Sequence, residues 1–98
     1  VVRRVDAPQK ELVALATSVA DEGGVALIAS VDGGARLVAA SGTPAVNAAD
    51  LVREVCSLLG GKGGGKPNLA QGAGPDASRL EDALEQGRKM IIKALHGE

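Results

Sequence analysis

"LLGGKGGGKPNLAQGAGPD", residues 58–76, holds three consecutive glycines between two lysines, and within it Gly60 to Lys66 reads G-x-x-x-x-G-K. That spacing is close to a phosphate-binding P-loop, and how the stretch is read decides both the fold and the function. In a P-loop the glycine turn leaves a strand, enters a helix whose free N–H groups meet phosphate, and places a Ser or Thr after the lysine for magnesium. None of these holds here. An amphipathic segment precedes the glycines, an extended segment follows, and the residue after Lys66 is Pro67, which has neither hydroxyl nor N–H and disfavours helical geometry at Lys66. A nucleoside triphosphate site is therefore excluded. Two readings remain for Gly63, Gly64 and Gly65. Glycines can turn successive N–H groups into a concave anion nest, with Lys62 and Lys66 as flanking point charges. Alternatively they form a plain loop after a helix, with the lysines solvated.

The flanking segments predict an α/β domain. "VVRRV", Val1 to Val5, is β-branched and precedes Pro8, which suits a first helical turn. Leu12, Val13, Leu15, Ala16, Val19 and Ala20 recur at helical spacing, and Gly23-Gly24 ends them. "VALIASV" and "ARLVAAS" are apolar runs separated by "DGG", which predicts a hairpin with strands at 25–31 and 35–41. Asn47, with Asp50 three residues on, caps a second helix whose stripe is Leu51, Val52, Val55, Leu58 and Leu59. "NLAQGA" is a strand. A last helix starts at a Ser78/Glu81 capping box and shows Leu80, Ala83, Leu84, Gly87, Ile91, Ala94 and Leu95 on one face. The predicted order is β-α-β-β-α-β-α, a mixed sheet covered by helices, forming one domain over residues 1–98. The chain starts at Val1 without a methionine, which suggests excision from a longer polypeptide.

Composition limits the partners. The formal net charge is -1, so no global positive field drives nucleic-acid binding, and any polyanion contact is local. Phe, Tyr and Trp are absent, which removes the platforms on which bases stack. With one Cys there is no internal disulfide, which fits a reducing compartment and a cytoplasmic location; no apolar run reaches the ~20 residues of a membrane span. One His, His96, and one Cys, Cys56, make no metal set by spacing and supply no nucleophile with a positioned base. Cys56 reads as a small buried hydrophobe, and His96 as a solvated group near a helix end. No catalytic residue, metal or cofactor is expected.

At these residues a family resemblance enters. "GGKGGGKPNLAQGAG" resembles the glycine-rich signature in the C-terminal domain of alanyl-tRNA synthetases, a fold shared with the segment that follows the catalytic domain in DHH-type phosphoesterases. The three glycines, the basic residue, the proline and "AQ" stand in the family's order, and the flanking helices fit, so the resemblance covers nearly the whole chain. Lys66 stands where arginine is commoner, and lysine cannot form a bidentate fork. The phosphoesterase branch carries a phosphate-binding histidine after its triple glycine, whereas here Lys66-Pro67 follows, which favours the synthetase branch. The resemblance implies a non-catalytic tRNA-binding accessory domain. It would contact the outer corner of alanine-accepting tRNA and support aminoacylation and editing by the parent alanine-tRNA ligase. Lys62, Gly63, Gly64, Gly65, Lys66 and Gln71 are the candidate RNA-binding residues. Other synthetase domains are the expected protein partners. The alternatives are a homodimerisation module using an exposed apolar helix stripe, or a phosphate-ligand domain of the phosphoesterase kind. Lys89 and Lys93 share a face of the last helix, but Glu85 can pair with Lys89, so that cluster reads as a solvated surface.

Overall fold

The computed structural model describes residues 2–31 and 34–96. Five strands form one mixed sheet: β1 (Val2–Arg4), β2 (Val25–Val31), β3 (Ala35–Ser41), β4 (Lys62–Lys66) and β5 (Leu69–Gly74). They lie in the order β1-β2-β3-β5-β4, with β1 parallel to β2 and every other pair antiparallel. Three helices cover the sheet: α1 (Gln9–Asp21), α2 (Ala48–Leu58) and α3 (Leu80–Leu95). The predicted α/β class and mixed sheet are observed, with one strand more than expected.

The β2–β3 hairpin matches its predicted bounds; Val1 and the turn residues Asp32 and Gly33 lie outside the described residues. Its period-2 alternation builds two cores. Leu27, Ala29, Leu37 and Ala39 face α2 and α3, while Ala26, Ile28, Val38 and Ala40 face α1 through Leu12 and Ala16. α1 packs against β2 and β3. Its buried stripe is therefore narrower than the predicted six residues: Leu12 and Ala16 are buried, Val13, Val19 and Ala20 are partly covered, and Leu15 is exposed. Asn47 caps α2 as expected, its Oδ1 accepting from the Asp50 N–H at 3.2 Å.

The capping box of the last helix does not form. A 3₁₀ turn, Ala77–Arg79, leads directly into α3, and the Ser78 hydroxyl donates to the Asp76 carboxylate, so it no longer serves the Glu81 amide. Leu80, Ala83, Leu84, Gly87 and Ile91 are buried on α3 as predicted, but Ala94 is half-buried and Leu95 exposed, because the helix runs past the edge of its core. At Gly87 a Cβ would come within 2.3 Å of Leu27, so the bare Cα lets α3 lie close to the sheet.

Candidate nucleic-acid interface

The glycine-rich run is neither a nest nor a loop. α2 ends in a Schellman motif: Gly60, at φ 71°, donates its N–H to the Ser57 carbonyl, and Gly61 donates to that of Cys56 at 2.9 Å. The chain is thereby released straight into β4, which pairs with β5 from Lys62↔Ala73 to Lys66↔Leu69. Successive N–H groups of a strand point to opposite edges, so they cannot converge on one anion as a nest requires. Pro67 and Asn68 form the hairpin tip. The tip is tied down because the Pro67 carbonyl accepts from Ala48, the first residue of α2, at 2.8 Å, and the Asn68 carbonyl accepts from Ser41 at 3.0 Å.

Close packing under α2 accounts for three of the glycines. A Cβ at Gly63 would sit 2.3 Å from Val52 Cγ1, one at Gly72 would sit 2.5 Å from Cys56 Sγ, and one at Gly74 would sit 2.6 Å from Leu59 Cβ. These bare positions let α2 approach β4 and β5 closely. Gly65 has φ 153° and a Cβ there would meet Ala70 at 2.7 Å.

Strand alternation then divides the candidate residues between two faces. Gly63 and Gly65 turn toward α2, whereas Lys62, Gly64 and Lys66 share the opposite face with Gln71, the cross-strand partner of Gly64. This is the face that α1 covers over β2 and β3. Arg36, which sequence reasoning did not single out, joins them. Ala73 pairs with both Arg36 on β3 and Lys62 on β4, so the two cations lie in one row across the sheet, with Cα atoms roughly 10 Å apart from two strand spacings. Only the register reveals Arg36, because β3 is separated from β4 by the whole of α2 in the chain.

Arg36, Lys62 and Lys66 are exposed, and among the described residues none has an acidic partner within salt-bridge distance, whereas Arg4, Arg53 and Arg88 pair with Glu81, Asp50 and Glu85. Between Arg36 and Gln71 lies an open hollow of about 390 Å³, lined also by Gln9 and Ala73. The Gln9 amide nitrogen donates to Gln71 Oε1 at 2.8 Å, which anchors Gln71 and leaves its own amide nitrogen available as a donor. Gln9 Oε1 is buried there without a hydrogen-bond partner. The face can therefore offer anions three cations and one amide donor beside a strand of minimal side-chain height.

The other candidates fall elsewhere. Lys89 and Lys93 lie on α3, which packs on the opposite side of the sheet from Lys62 and Lys66. Glu85 pairs with Arg88 at 3.1 Å rather than with Lys89. His96 is exposed just beyond α3. Cys56 is buried, and burial pushes its thiol from 9.0 up to about 11. The folded state thus holds this proton to higher pH than the unfolded chain, so the contribution to stability is full below about pH 9 and is lost as pH rises toward about 11. We expect iodoacetamide at pH 8 to leave the native protein unlabelled by mass spectrometry and to alkylate Cys56 once the chain is denatured. Among the described residues no three His, Cys, Asp or Glu side chains gather as metal ligands, and no helix is long and apolar enough to cross a membrane.

The family model of the DHHA1 domain matches residues 1–93. The chain belongs to the DHHA1 domain family. This DHHA1 domain is 76% identical over 98 residues to the alanine–tRNA ligase of Methanoculleus marisnigri, and 54% identical over 95 residues to that of Methanoregula boonei. All of the chain is covered in the first case and 97% in the second, but the chain spans only 11% and 10% of those relatives. Among solved structures it resembles the C-Ala domain of Aquifex aeolicus alanyl-tRNA synthetase, with a TM-score of 0.80 and 29% identity over 91% of this chain and 86% of that one. At that coverage the similarity extends through the sheet and helices, so the two domains share their fold.

Proposed function

We propose that this DHHA1 domain is a non-catalytic tRNA-binding accessory domain of an alanine–tRNA ligase, working in the cytoplasm beside the ligase's other domains. It docks on the outer corner of the tRNA and supports aminoacylation and editing there. The binding surface is the β5–β4 half of the sheet face that α1 leaves open. Lys62, Lys66 and Arg36 meet phosphates, Gln71 donates its amide, and Gly64 keeps this face of the strand low enough for backbone contact, while Gly63 and Gly65, the other two candidates of the run, let α2 pack closely behind it.

The observation that carries this reading is the gathering of three cations without acidic partners on one face of a chain whose net charge is -1. The charge is local rather than global, which suits docking on one part of a structured RNA. With no aromatic residue to stack bases, recognition is by shape and backbone. Dimerisation has less support: Ile92 and Leu95 are half-exposed on α3, but two side chains fall far short of the ~1,000 Å² expected of a specific interface.

Titration of the full chain with a structured tRNA, duplex DNA and a mononucleotide, each at several salt concentrations, tests the proposal. Three phosphate contacts give a log–log salt slope of about -2 to -3 for tRNA. Equal affinity for tRNA and duplex DNA, or a slope near zero, would count against it.

A further inference from the structure

Of the three consecutive glycines of β4, packing explains two. Gly63 is held bare by Val52, and Gly65 by its φ of 153° and by Ala70. Gly64 is different: a Cβ there would meet nothing within 4 Å, and its backbone is not in the region that favours glycine. Glycine weakens a strand interior relative to almost any side chain, so the fold gains nothing from it at this position. Its surroundings indicate what does gain. Lys62 and Lys66 stand two residues away on either side and on the same face, about 13 Å apart by strand rise, and Gln71 lies directly across the ladder. Gly64 is thus a bare stretch of main chain midway between two lysines of the same face.

We infer that Gly64 is the seat on which the sugar–phosphate backbone of a bound RNA rests against bare main chain. The size of the side chain at residue 64 therefore governs affinity independently of charge. The inference rests on the tRNA-binding reading above and adds a steric requirement to its electrostatic one. With no Cβ in the way, phosphate oxygens approach the strand closely enough for both lysines to reach them at once; a bulky side chain lifts the RNA and breaks that reach.

The test is a series, Gly64→Ala, Gly64→Leu and Gly64→Lys, made in the full chain and followed by thermal unfolding and by tRNA binding in fluorescence anisotropy at 0.1 M salt. Thermal midpoints stay at or above that of the parent, since the added atoms enter open space. Affinity falls modestly for alanine and about eightfold for leucine, the loss of one phosphate contact at that salt. Gly64→Lys binds more weakly than the parent despite its added positive charge, which no purely electrostatic surface would do. If Gly64→Leu and Gly64→Lys bind as well as the parent while the Lys62→Ala/Lys66→Ala double variant loses affinity, the lysine surface stands and the seat is wrong. If the double variant also binds like the parent, the tRNA-binding reading fails with it.

Discussion

Replacing Lys62, Lys66 and Arg36 together by alanine is expected to weaken tRNA binding about 500-fold at 0.1 M salt. The figure follows from counterion release: each phosphate neutralised contributes about 0.9 of a power of ten in affinity per tenfold change in salt, so three contacts contribute about 2.7 powers of ten between 1 M and 0.1 M. The variant's salt slope flattens by the same 2.7, which separates lost phosphate contacts from unfolding. Circular dichroism should remain that of the parent, because all three side chains are exposed and none makes a salt bridge with another described residue. Arg36→Ala alone is informative, because Arg36 enters the surface only through the β3–β5–β4 register. Loss of about one contact's worth of slope places it beside Lys62; an unchanged slope removes it from the surface. A triple variant within threefold of the parent would show that the RNA binds elsewhere.

Gly72→Val should lower the melting temperature by about 10–20 °C. β5 lies inside the sheet, and a Cβ at Gly72 would come within 2.5 Å of Cys56 Sγ and 2.9 Å of both Gly63 Cα and Val52 Cγ1. Overpacking of this kind costs roughly 1–3 kcal/mol or more, and each kcal/mol moves the midpoint of a domain this size by about 4–8 °C. Space can be returned from the other side. In a Cys56→Ala background, Gly72→Ala should cost less than in the parent, since the sulfur that meets the new Cβ has gone, and a double-mutant cycle measures the coupling. Additive losses would mean that Gly72 is bare for some other reason than the approach of α2. Gly64→Val, eight residues earlier, should leave the midpoint unchanged, which separates a glycine needed by the fold from one needed by a ligand.

Much of the framework was legible in the residues. "VALIASV" and "ARLVAAS" gave both central strands at their observed bounds, because each is an apolar run closed by turn residues and needs only its partner to be complete. Asn47 gave the start of α2 because a cap is a local interaction within four residues. Two features were misread, for different reasons. Ser78 was expected to cap a helix, but a nearer acceptor, Asp76, takes its hydroxyl and a 3₁₀ turn precedes α3. Leu15 sits outside a stripe that looked continuous, because the width of sheet available to α1 is not written in α1.

The glycine run shows the division most clearly. By itself the sequence determined that residues 60–66 cannot be a P-loop, that Pro67 keeps Lys66 from helical geometry, that the core is aliphatic and that any anion contact must be local, all from side-chain chemistry and chain stereochemistry. Glycine carries almost no strand propensity, so nothing in "KGGGK" announces β4. Tertiary structure made it a strand, because β5 supplies the hydrogen bonds and α2 can lie this close only where side chains are missing. The same pairing decided which of the candidate residues face together: with a period of two, Lys62, Gly64 and Lys66 fall on one side, and only the register across β5 brings Arg36 to them.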